Sequence, residues 1–392
     1  MRKTMLTRRR FAMLAGTAAA SAILGALPGC AASGKPDDAA PEGPADSLRE
    51  EPPTLPREAA AEAAESPATV AAIPSGALCV AEYAGNTLAV VDPATGEVSQ
   101  RIATGSNPAT ALVADGWIYV GSSGGGQITA LSATDPSQVK AISVGNQPLG
   151  LCYDGGRGVL YVGDYFASSV HVVDSQLKSL VGTIKLNTYG YHNRTDPPDC
   201  CRIEPGAGRR TVALALAPEG DILYCANYGT FDVGRIDLAA EAEVEAFDGV
   251  VGPRQILVTP DGAQLVLAGV GGEGEQQVSD LYVLDRATGK RAREVYVGQS
   301  VAGAALSPAG DAAWAIARDD GELVAFKGAT WKEAGRLFLS PGIDTLLASP
   351  DGATLFVANS ATGEVFVVDA AALTVTTTVT GLASPKGMAV VA

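Results

Sequence analysis

The chain has 392 residues, with 43 acidic against 28 basic side chains and a formal net charge of −15. Hydrophobic residues make up 47 % and charged ones 18 %, enough apolar material for a sizeable core, and 46 glycines and 23 prolines favour many turns and short strands over long helices. The negative balance excludes nucleic acid as a partner, because phosphate binding needs clustered Lys and Arg, and two histidines in all exclude a site built on an imidazole cluster.

Residues 1–30 read as an export signal. Arg2, Lys3, Arg8, Arg9 and Arg10 form a basic start, and Phe11 to Leu27 follow as an uncharged, alanine-rich run, too short and too weakly apolar for a membrane span. Thr7-Arg8-Arg9-Arg10-Phe11 resembles the twin-arginine signal, in which Arg8 and Arg9 would be the recognised pair; Ala12 and Met13 depart from the commoner Leu-Lys, which leaves Sec export as the alternative. Leu27-Pro28-Gly29-Cys30 resembles a lipobox, and that likeness implies that Cys30 becomes the lipidated first residue of a bacterial lipoprotein. The alternative is an ordinary signal peptide with an incidental cysteine. Removing the leader makes the chain more acidic still, so the membrane would be held through the lipid and not through surface charge. Residues 31–72, rich in Ala, Pro and Glu, bury too little apolar surface to offset their ordering entropy and are predicted to be a disordered tether. The expected location is the cell envelope, on the outer face of a bacterial membrane.

Residues 73–392 repeat. Leu160-Tyr161-Val162-Gly163-Asp164, Leu223-Tyr224-Cys225-Ala226-Asn227 and Leu355-Phe356-Val357-Ala358-Asn359 are copies of one strand, with weaker copies beginning at Leu78, Ile118, Leu265 and Ala313; the spacings are 40, 42, 63, 42, 48 and 42. A Pro-x-Gly turn precedes four of them, as in Thr259-Pro260-Asp261-Gly262 and Ser349-Pro350-Asp351-Gly352, where Pro presets φ and Gly accepts a positive φ. A further strand ending in Asp follows, as in Val90-Val91-Asp92 and Val172-Val173-Asp174. Four short strands in about 40–45 residues make a propeller blade. The seven copies therefore predict an all-β, seven-bladed β-propeller of four-stranded antiparallel blades. The chain would start at the second strand of blade one, and the C-terminal segment from Lys386 to Ala392 would supply the missing first strand and close the ring.

The Leu-Tyr-Val-x-Asn strand, the Ser-Pro-Asp-Gly turn and the Val-Val-Asp-x-x-Thr-Gly stretch resemble the YVTN-type β-propeller repeat family over this whole region. That family includes surface-layer proteins, cell-envelope binding proteins and relatives of propeller enzymes, so the resemblance implies a fold and leaves the function to the site.

Ligands of a propeller usually meet the face made by the loops joining second to third strands and one blade to the next. Here these loops include Asp164-Tyr165, Asn227-Tyr228, Pro253-Arg254 and Pro385-Lys386, and the candidate contacts are Tyr165, Tyr228, Arg254 and Lys386. The interval of 63 marks an insertion at 187–210 on that face, with His192, Cys200 and Cys201 in it and Cys225 in the next blade. Two readings compete for these four. One is a disulfide, as expected of an exported protein, more easily built from Cys200 or Cys201 to Cys225 than between neighbours whose Cα atoms lie about 3.8 Å apart. The other is a Zn or Cu(I) site of imidazole and thiolates, which lacks CxxC or HxH spacing. No cofactor is otherwise expected. His171, inside a strand, reads as a satisfied core residue, and Cys79 and Cys152 as small buried ones.

The sequence has no CxxCH for haem, no tryptophan after Asp285-Arg286-Ala287-Thr288-Gly289 such as quinoprotein propellers use, no Gly-x-Ser-x-Gly elbow and no phosphate loop. The functional expectation is a lipid-anchored extracytoplasmic binding or interaction module whose partner is a protein or small molecule on the loop face. The alternative is a propeller enzyme or redox partner, lactonase-like or metal-dependent, that uses the insertion.

Overall fold

The computed structural model describes residues 71–187, 208–270 and 280–391. The proposed leader, with Arg8, Arg9 and Cys30, the segment from 31 to 70, and His192, Cys200 and Cys201 of the insertion lie outside the described residues.

Seven four-stranded antiparallel sheets account for almost all of the described chain. The first has β1 (Leu78–Glu82), β2 (Thr87–Val91) and β3 (Val98–Ala103), and its innermost strand is the last of the chain, β28 (Pro385–Val390). The predicted closure is therefore observed, one residue earlier than Lys386 at its start. The other six blades run in chain order from inside to outside, with innermost strands β4 (Pro108–Ala114), β8 (Pro148–Asp154), β12 (Thr211–Leu216), β16 (Pro253–Val258), β20 (Val301–Leu306) and β24 (Ile343–Ala348). Neighbouring innermost strands touch all the way round, from β28 against β4 to β24 against β28, so the sheets form a closed ring.

The apolar pattern explains why the sheets stack. Second strands are buried on both faces, as in β1 and in Ile222–Asn227, and so read as continuous apolar runs; outer strands such as β3 alternate, because only one face meets a neighbour. In β1, Leu78 and Val80 pack against the last blade, while Cys79 and Ala81 pack against the second. Seven hydrophobic clusters result, one in each seam between adjacent blades. The Pro-x-Gly turns nest in series: the space beside Gly262 is filled by Pro218, that beside Gly310 by Pro260 and that beside Gly352 by Pro308. Residues 73–77 lead into the start of β1, and Gly76 N–H donates to the Val391 carbonyl just past β28. The described chain thus begins at the face opposite the one where β1 ends and β28 starts.

Candidate ligand site at the channel mouth

Each innermost strand carries the same irregularity. Pro108 pairs with Ser122 and Thr110 with Gly121, which leaves Ala109 as an extra residue on the bulged strand. The equivalent residues are Leu149, Val212, Arg254, Ala302 and Asp344, and in blade one Lys386 and Gly387 together face only Ala81. A β-bulge re-aims the side chain it adds. Here all seven bulges direct a side chain toward one cavity of about 910 Å³ at the mouth of the central channel.

A second tier comes from the residue that follows the second strand in six of the seven blades. Tyr83, Ser123, Tyr165, Tyr228, Val270 and Arg318 line the same cavity, together with Gln147, Ser300 and Ser384 from the connections between blades. The structure therefore brings Tyr165, Tyr228, Arg254 and Lys386 to one site, as the loop assignment expects.

The polar residues that end the second strands have another task. Glu82, Asp164, Asn227 and Asn359 are buried and hold the connection that leads into the bulge. Glu82 accepts from Ala383 N–H at 3.0 Å, Asp164 accepts from Asn146 N–H at 3.0 Å and Gln147 N–H at 3.4 Å, and Asn359 Nδ2 donates to the Pro341 carbonyl at 2.9 Å. Burial works to raise the Asp164 carboxyl, but hydrogen bonds from His171 and the N–H groups of Asn146, Phe166 and Gln147 outweigh it and hold the group at about 2. His171 is satisfied by Thr183 Oγ1 at 3.1 Å and Asp164 Oδ2 at 3.4 Å, but it is half-buried and not part of the core.

Inside the mouth the charges are organised in pairs and stacks. Lys386 Nζ donates to Asp344 Oδ2 at 2.7 Å, and the Ser360 hydroxyl donates to the same oxygen. Asp344 Oδ1 is buried and has no hydrogen-bond partner among the described residues. The Arg254 guanidinium lies over the Tyr228 ring at 5.6 Å and that of Arg210 over Tyr165 at 5.7 Å. Asp344, Leu149 and Val212 are the residues that sequence reasoning missed. The usable signal was the second position of Asn107-Pro108-Ala109, Gln147-Pro148-Leu149, Pro253-Arg254 and Pro385-Lys386, because proline is tolerated where a strand starts or bulges. Asp344 follows Ile343 and carries no such mark.

At the base of the insertion, Arg209 is buried and bridges two carboxylates, Asp232 at 3.1 Å and Glu243, while its Nη1 donates to the Asn187 carbonyl at 2.6 Å. Asn187 N–H also donates to Glu243, at 2.6 Å, so both described ends of the insertion are fastened to one carboxylate. Burial raises both acids against the pull of Arg209. Cys225 is a free, buried thiol in contact with the Gly234 carbonyl at 3.5 Å, and burial pushes it up to about 12. A metal ligand needs the thiolate, which this setting disfavours. Among the described residues no three His, Cys, Asp or Glu side chains gather in a way that could hold a metal ion.

No family model and no curated protein matches the chain. Solved structures do. The periplasmic gluconolactonase of Pseudomonas aeruginosa superimposes with a TM-score of 0.62 at 20 % identity over 81 % of this chain and 99 % of that one. A functionally unknown protein of Desulfotomaculum acetoxidans gives 0.63 at 13 % identity over 81 % and 99 %. Dihydro-heme d1 dehydrogenase, solved with a bound ligand, gives 0.55 at 15 % identity over 82 % and 76 %. Likeness at such identities is likeness of fold, and it joins the seven sheets and closed ring in one conclusion: the chain is a seven-bladed β-propeller, structurally akin to lactonase and heme d1 propeller proteins.

Proposed function

We propose that this protein is a small-molecule-binding propeller of the cell envelope, exported by its N-terminal signal, lipidated at Cys30 and held off the membrane by residues 31–72, and that its repeats are of the YVTN type. The observation that carries the binding role is the mouth itself: a cavity of about 910 Å³ to which every blade contributes a side chain through an equivalent bulge. That volume lies in the upper part of the range for ligand sites, roughly 300–1,000 Å³. The anchoring rests on the sequence motifs, and loss of palmitate labelling in Cys30→Ser checks it.

The binding role is tested by plugging the mouth. Ala109 lines the cavity and belongs to no seam cluster, so Ala109→Trp should project an indole into the mouth, obstruct it and leave the fold intact. Equilibrium dialysis against a metabolite extract, read by mass spectrometry, should enrich compounds on the wild type that the plugged variant does not retain. Identical profiles for the two proteins would overturn the reading.

A second reading, a lactonase-like hydrolase, is favoured by one feature: Asp344 and Lys386, paired at 2.7 Å, both line the mouth itself. A carboxylate so placed can take the proton of an attacking water, with Lys386 or Arg318 stabilising the oxyanion that forms on the lactone carbonyl. Hydrolysis of gluconolactone above the spontaneous rate, lost in Asp344→Asn, would move the assignment to that enzyme class.

A further inference from the structure

The mouth is not uniform round its circumference. On blades three and four the bulges present Leu149 and Val212, and the tyrosines Tyr165 and Tyr228 stand next to them. On the remaining arc, from blade five round to blade one, the cavity is lined by Arg254, Arg318 and Lys386 among Val270, Ala302 and Tyr83, with Asp344 as its one lining carboxylate among the described residues. Asp344 is already engaged by Lys386 at 2.7 Å. Asp319 and Asp320, which follow Arg318, are engaged with the Ser300 hydroxyl and the Gln299 N–H. Neither Arg254 nor Arg318 has an ion-pair partner among the described residues. Among the described residues, Arg254 and Arg318 therefore line the mouth of an acidic chain without a salt bridge.

We infer that the mouth selects an organic anion with a flat, apolar body: a carboxylate, sulfonate or phosphate group carried on an aromatic ring system. The body would lie on the Tyr165, Tyr228, Leu149 and Val212 side and the charge would meet Arg254 and its neighbours. Stacking on Tyr228 at 5.6 Å orients the Arg254 guanidinium, and since no described residue forms a salt bridge with it, its N–H edge would pair with a planar two-oxygen acceptor. A lone inorganic ion would fill only a small part of about 910 Å³ and would leave the apolar arc wet.

This inference rests on the mouth being the binding site, and the probes separate the two. Isothermal titration of the full chain with 2-naphthoate, with neutral 2-naphthol and with inorganic phosphate should give one site for 2-naphthoate with Kd below about 1 mM, and binding at least about tenfold weaker for the other two. Arg254→Gln should weaken 2-naphthoate about tenfold and leave 2-naphthol unchanged, and Tyr228→Leu should weaken both aromatic probes. Lys140→Gln, at a half-buried cation stacked on Trp117 and absent from the mouth lining, should change nothing. Binding of 2-naphthol or phosphate as tightly as 2-naphthoate, abolished by Ala109→Trp, would overturn the ligand class and keep the mouth. Absence of binding by all three probes, or binding that survives Ala109→Trp, would overturn the inference and count against the mouth as well.

Discussion

At the scale of single residues, the mouth depends on polar groups that never face it. Asp164 is the clearest case, since four hydrogen bonds converge on its carboxylate and hold the connection in front of Leu149. Its folded value of about 2 lies below the ordinary 3.8, so its stabilising contribution is present above the ordinary value and is lost as pH falls toward 2. Asp164→Asn should therefore lower Tm at pH 7, by about 2–4 °C for a domain of this size, and the gap to wild type should close between about pH 4 and pH 2. A gap that stays constant over that interval would show that the charge of the carboxylate is not what matters. Arg209 follows a different logic. Its two carboxylate partners are themselves raised by burial, so the cluster acts as a clamp on the ends of the insertion and adds little to net stability.

At the scale of elements, the turns and bulges divide the work. Gly352 at φ +71° and Gly220 at φ +73° occupy the same left-handed backbone, yet a Cβ at Gly352 would meet Pro308 Cδ at 2.8 Å, whereas one at Gly220 meets nothing within 4 Å. Gly220→Ala should cost only the backbone term, about 1–2 kcal/mol, and Gly352→Ala more, because the nested proline must also shift. Urea denaturation of the two variants checks the difference, and equal costs would mean that the turns do not support one another. These turns were legible in the sequence because Pro and Gly are chemically irreplaceable where φ is preset or positive. The bulges were only half legible. Arg254 and Lys386 stood out through the proline before each, but Val212, Ala302 and Asp344 follow ordinary residues, and an extra residue in a strand leaves no trace in an apolar pattern of period two. The insertion was visible as a length and not as a structure, since nothing in its spacing says that Arg209 and Asn187 would meet Glu243.

At the scale of the whole molecule, the ring owes its closure to one strand from the far end of the chain. β28 pairs with β1 and places Met388 in the seam between the last blade and the first. Deleting residues 385–392 should leave β1 as an unpaired edge and remove Lys386 from the mouth. The expected result is loss of the single cooperative thermal transition together with concentration-dependent association, measured by calorimetry and light scattering. An unchanged transition would show that the five seams β28 does not touch suffice to hold the ring. The fold was readable at this scale because each copy of the repeat lacks a partner for its own apolar faces, and only a closed set of seven leaves none exposed.

The polypeptide enters the ring at its back. Residues 73–77 approach the first strand from the end away from Tyr83 and Lys386, and Gly76 is fastened beside Val391 there. None of residues 71–77 lines the mouth, so the described lead-in leaves the front aperture unobstructed. Solutes that reach that aperture by diffusion then meet the bulge residues without first displacing the N-terminal lead-in.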